Sequence, residues 1–192
     1  MARKMITLLA VIVMLGGTAG AVTPPPALNR QDKVFLARAH QGNLAEIEAG
    51  RAAQEKTVGQ EVRESGEIVR ELGMKLVVDH VKLDADLRRV AGQLGVELPD
   101  GPSGEQRRQL DEVLAKSGVE FDQAWLAAQI AAHRQTLAEG RRELQKGSSP
   151  EVKQLAADAA PVVREHLDLL LKAQRGESPS PAVTVVPSPS ES

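Results

Sequence analysis

Apolar residues return every three or four positions along four long stretches of this chain, the spacing that lays one buried stripe on an amphipathic helix. The clearest stretch runs from Ile68 to Leu94, where Leu72, Leu76, Leu83, Leu87, Val90 and Leu94 share a face. Ahead of it, Phe35, Ala39, Gly42, Glu46, Ala49 and Ala53 form the inward stripe of a first helix beginning near Asp32. Beyond it, Leu126, Ile130, His133, Leu137, Gly140 and Leu144 mark a third long helix from Val119 to Lys146. The last has Ser149 as cap and Pro150 in its first turn, with Val152, Leu155, Ala159, Val162, His166, Leu170 and Ala173 at heptad spacing. Pro161 inside it predicts a kink.

The connections are short. A turn falls between Thr57 and Ser65, Gly95 stops the second helix, and Leu98-Pro-Asp-Gly-Pro is a loop. Ser103 and Gln106 form a capping box for a short helix to Ala115, and Ser117 with Glu120 repeats that start signal. The pattern predicts an all-α protein, an antiparallel four-helix bundle with a short extra helix before the third long one.

Polar residues interrupt the stripes at particular places. His80 stands where another leucine is expected, and His133 and His166 occupy equivalent places on the last two helices. Glu46 lies among small residues in the first stripe, which leave room for a group from elsewhere. At about 1.5 Å per residue, Glu46, His80 and His133 each lie 14 residues from the same end of the bundle, counted from Asp32, Leu94 and Val119. His166, 16 residues past Pro150, agrees within a turn with His133, 13 before Lys146. One polar residue from each helix therefore reaches one level of the core. His40 falls beside the first stripe and reads as a boundary residue, while Glu48 faces water.

Burying such groups without partners costs free energy, and two arrangements remove that cost. The cluster is either a metal-free hydrogen-bonded network, or a site in which Glu46, His80, His133 and His166 hold one divalent ion such as Zn, Fe, Mn or Cu. Asp79, Glu165 and Gln129 are then supporting or solvent-facing residues. A structural or envelope-stress role goes with the first arrangement, metal or small-ligand binding with the second, and a mononuclear-metal oxidoreductase is a further alternative. No phosphate-binding glycine loop and no nucleophile elbow appears, and no histidine pair has metalloprotease spacing. Catalysis is not the expected role.

Composition narrows the context. Phe35, Phe121 and Trp125 are the only aromatic residues, so the core is Leu, Val, Ile and Ala, which suits packed helices. There is no cysteine, hence no disulfide, thiolate site or lipid attachment. Lys+Arg 24 against Asp+Glu 26 gives no electrostatic reason to expect nucleic acid. Arg3 and Lys4, the apolar run Met5 to Leu15 and Ala19-Gly20-Ala21 read as a signal peptide. The expected organisation is signal peptide 1–21, spacer 22–30, bundle 31–175 and a disordered Ser/Pro-rich tail 176–192. The protein is expected to be exported to the periplasm, cell envelope or medium, with an uncleaved N-terminal membrane anchor as the alternative.

Several segments also carry a resemblance. Ala39–Gly50 (AHQGNLAEIEAG), Leu76–His80 (LVVDH), Glu120–Leu126 (EFDQAWL) with Ala131–His133 (AAH), and Pro161–Leu167 (PVVREHL) resemble the exported bacterial family catalogued as domain of unknown function 4142. The resemblance spans about Gln31 to Lys172. It implies a ferritin-like fold and brings no established activity. Di-iron bundles use Glu-x-x-His on two helices, whereas Val77, Ile130 and Val163 stand three residues before His80, His133 and His166. Ferroxidase chemistry is not expected.

Overall fold

Residues 27–57 and 63–177 are described by a computed structural model of the chain. Among them are five helices and no strand: α1 (Arg30–Thr57), α2 (Glu64–Gln93), α3 (Gly104–Leu114), α4 (Gly118–Lys146) and α5 (Pro150–Gln174). The expected signal peptide and most of the expected spacer and tail lie outside the described residues.

Local chemistry sets the helix ends. Gly95, at φ 65°, takes the left-handed conformation that closes α2, and Val96 N donates to Ala91 O at 2.9 Å. Ser103 and Gln106 form the reciprocal capping box of α3, and Ser149 Oγ accepts from Val152 N at the start of α5. Ser117 departs from expectation: it precedes α4, but no side-chain hydrogen bond caps that helix. The helix α5 runs unbroken through Pro161.

The helix α1 packs most extensively on α2, and α4 on α5. The α1–α2 crossing is close because Gly50 and Gly73 meet there; a Cβ on Gly73 would stand 2.8 Å from Ala53 Cβ and from Gly50 O. Two apolar clusters fill the interior. One gathers Val69, Leu72, Leu76, Phe121, Trp125 and Leu170, the other Phe35, Leu36, Leu87, Ala91, Val152 and Ala156. On α2, His80 lies between Leu76 and Leu87, and on α5, His166 lies between Ala156 and Leu170. The histidines thus sit at the boundary between the clusters.

Both ends are tied by polar groups. Asp32 accepts from Ser148 N, Ser149 N, Ser148 Oγ and Asn29 N at 2.6–3.1 Å, fastening the start of α1 to the α4–α5 turn. Toward the other end, Ser65 Oγ and Arg63 donate to Asp122, and Trp125 Nε1 donates to Ala49 O.

These ties shift parts of the expected stripes. On α4 the buried residue is Glu143, beside Asp32 and Gln31, and Leu144 is 42% exposed. On α2 Asp84 is buried and Leu83 only half-buried, because His40 Nδ1 meets Asp84 Oδ1 at 2.6 Å. His40 is therefore a buried partner, not a boundary residue.

Candidate metal centre

Three helices each deliver one imidazole to the same level: His80 from α2, His133 from α4 and His166 from α5. Their exposures are 3%, 1% and 1%. Ring centroids are 5.4–5.6 Å apart, and one nitrogen from each ring lies within 4.8 Å of the other two.

The partners of these rings fix their protons. His133 Nδ1 donates to Gln129 O at 2.9 Å, and His166 Nε2 donates to Asp79 Oδ2 at 2.8 Å. His80 Nδ1 donates to Asn43 Oδ1 at 3.0 Å. The Gln129 carbonyl and the Asp79 carboxylate only accept, so in neutral His133 and His166 the proton sits on that outer nitrogen, and His80 matches them with the Asn43 amide oxygen turned toward its Nδ1. His133 Nε2 and His166 Nδ1 are then both bare, and they face one another at 3.3 Å. His80 Nε2 is buried with no partner.

Burial keeps the rings neutral. It drives the His133 pKa down to about 4, against the opposing pull of the Gln129 carbonyl. His80 is held well below the usual range by burial and then by its His133 and His166 neighbours. His166 is lowered by burial, with Asp79 raising it part of the way back. Burial would lift Asp79, but hydrogen bonds from His166 and Lys75 outweigh it and hold Asp79 below its ordinary value. It is a carboxylate that only accepts.

Of the four residues singled out in the sequence, the three histidines converge and Glu46 stands beside them. Glu46 is 6% exposed, with Oε1 3.7 Å from His133 Nδ1, the outer nitrogen of that ring. Its Oε2 has no partner, and burial pushes its pKa up to about 8. Asp79 supports His166 directly. Gln129 acts through its backbone carbonyl, and Glu165 pairs at 3.0 Å with Lys75, which also pairs with Asp79. Sequence reasoning missed Asn43; its one signal is that it lies three residues before Glu46, on the same side of α1.

A cavity of about 350 Å³ adjoins the cluster, with Asn43, Glu46 and His80 on its lining. Three neutral imidazoles suit zinc, copper, nickel or iron better than manganese or magnesium, which favour oxygen donors.

The chain matches the sequence profile of the family described as a domain of unknown function (DUF4142) over residues 17–172. It belongs to that family. No curated protein matches this DUF4142 chain. A crystal structure of a DUF305 fragment from Deinococcus radiodurans is similar in fold, with a TM-score of 0.66 at 14% sequence identity. The similarity covers 79% of this chain and 99% of the fragment.

Proposed function

We propose that this DUF4142 protein binds one divalent metal ion through His80, His133 and His166, with Glu46 as a nearby carboxyl. The observation that carries the reading is the convergence of three buried imidazoles whose outer nitrogens each meet an acceptor. Each gives its single proton outward, and the inner nitrogens are left as lone pairs without donors. Ligating histidines typically have this arrangement, with the second nitrogen donating to a carbonyl or carboxylate. The 3.3 Å gap between His133 Nε2 and His166 Nδ1 also supports it. Two nitrogens on one tetrahedral ion at ~2.0–2.1 Å lie roughly that far apart. A metal-free network would instead turn one ring's proton inward, and a neutral His133 that did so would give up its bond to Gln129 O.

Around that site we read the fold as an antiparallel four-helix bundle of the ferritin-like kind. Contacts between α1 and α2 run in opposite order along the chain, His40 meeting Asp84, Asn43 meeting His80 and Gly50 meeting Gly73. Arg3, Lys4, the apolar run and Ala19-Gly20-Ala21 support export. No helix among the described residues is long and apolar enough to cross a membrane. N-terminal sequencing of the exported protein is expected to begin at Val22; an intact Met1 on membrane-bound protein overturns cleavage.

Elemental analysis of protein purified without a His-tag, followed by zinc titration, tests the metal. One equivalent is expected, weakening as pH falls and protons compete for the imidazoles. In His80→Ala the metal-dependent rise in melting temperature should disappear. A variant that loses equal stability with and without zinc, in a protein that takes up no stoichiometric metal, leaves only a structural histidine core.

A further inference from the structure

Among the described residues five large apolar side chains are exposed, and three of them, Met74, Val78 and Val81, lie on one line of α2 at 39%, 68% and 48% exposure. The other two, Val119 and Leu144, stand near opposite ends of α4. Exposed Ala85 extends the α2 line by one more turn. Steps of four, three and four residues make a heptad seam, the pattern by which one helix packs along another. The neighbours α1 and α5 meet α2 on other faces, through Gly73 and Asp79, and leave this one open. Charge is sorted along the same line. Glu64, Glu67 and Glu71 precede the apolar residues, Arg88 and Arg89 follow them, and all five are exposed. Glu71 and Arg88 flank the seam directly, and neither has an ion pair or side-chain hydrogen bond among the described residues.

We propose that this face joins two copies of the chain, α2 against α2 in opposite directions, about a two-fold axis level with the Asp79–His80 peptide. Such an axis sets each residue before the centre against one equally far beyond it in the second copy. Met74 then meets Ala85 of the second copy, Val78 meets its Val81, and Glu71 meets its Arg88. A large side chain faces a small one, and opposite charges close both ends of the apolar seam. A parallel pair would set Glu71 on Glu71 and Arg88 on Arg88, so the order of charges selects the antiparallel one. Because α2 is complementary to itself, the occupant it fits is a second copy. Lys75 and Lys82 approach each other across the α5 side of the seam, but both already hold carboxylates of their own chain, Asp79 and Glu165 for Lys75 and Asp86 for Lys82. One helix face is small beside an obligate interface, so the association is reversible. It does not depend on bound metal.

Sedimentation equilibrium of the exported protein in chelator, so that no shared ion bridges two copies, tests this. We expect a concentration-dependent mass that approaches twice that of the monomer, with association weakening as salt screens the end charges. Val78→Lys should abolish the dimer and leave the far-UV CD and the melting temperature of the dilute monomer unchanged. Arg88→Glu and Glu71→Arg each set like charges at the seam ends and should each weaken association by about tenfold or more. The variant carrying both changes restores opposite charges and should recover most of the lost affinity. A wild-type chain that stays monomeric at its highest soluble concentration overturns the proposal. So does a dimer indifferent to Val78→Lys, or a double variant no tighter than the single ones. A monomeric wild type that loses thermal stability on Val78→Lys also overturns it, since a segment of the same chain then covers the face.

Discussion

His133 divides its two nitrogens between different tasks: Nδ1 donates to Gln129 O, and Nε2 faces His166. That division gives the metal-free protein a defined acid sensitivity. With its pKa near 4 in the fold and ~6.5 in the unfolded chain, the unfolded state binds more protons between those values. Stability from this ring is therefore complete above about pH 6.5 and falls toward pH 4. Glu46 has the opposite sign. Pushed up to about 8, it keeps its proton where an unfolded carboxyl, at ~4.3, has lost it, so stability falls as pH rises between those values. Glu46→Gln, which mimics the protonated acid, should raise the urea midpoint of metal-free protein more at pH 8 than at pH 5. Equal changes at both values would remove the alkaline role assigned to Glu46.

Helix α1 uses its small residues in two ways, at Gly50 to approach α2 and at Gly42 to border the cavity. Substitutions should separate them. Gly73→Ala drives a methyl into Ala53 and the Gly50 carbonyl and should cost about 1–3 kcal/mol as overpacking, outweighing the helix propensity it gains. Gly42→Ala meets nothing and should be neutral or stabilising by up to about 1 kcal/mol. Thermal unfolding of both checks the pair, and a tolerated Gly73→Ala would mean that the two helices can yield at their crossing. At the α4–α5 turn, burial and then the neighbouring Asp32 carboxyl raise the Glu143 pKa to about 7. Burial also opposes the ionisation of Asp32, yet its bonds from Ser148, Asn29 and Ser149 hold it at about 2. Because Glu143 is raised, its contribution is lost as pH climbs from about 4.3 toward 7. Glu143→Gln should therefore gain on the wild type progressively over that range, as read from melting temperatures at pH 5, 6, 7 and 8; a constant difference would contradict the pairing.

In the whole molecule the three rings come from α2, α4 and α5, so one bound ion would link the α1–α2 pair to the α4–α5 pair at the boundary of the two apolar clusters. Zinc at 100 times its dissociation constant should stabilise the fold by about 2.7 kcal/mol, a rise of roughly 5–11 °C for a domain of this size. Differential scanning fluorimetry with and without chelator reads it directly, and an unchanged melting temperature would count against an ion held by the folded state alone. Periodicity by itself determined the helices and the level shared by His80, His133 and His166, because an ionisable ring in a leucine stripe is visible at a spacing of three to four. It could not determine which of two adjacent positions turns inward at a helix end. Glu143 is buried instead of Leu144 because Asp32 and the α4–α5 turn lie there, a contact between residues more than a hundred apart in sequence. Nor could it assign the ring protons. Those depend on Asn43, the Gln129 carbonyl and Asp79, whose distances to the imidazoles exist only once the helices have packed. The stripe encodes burial, and tertiary structure decides which polar atoms within it find partners.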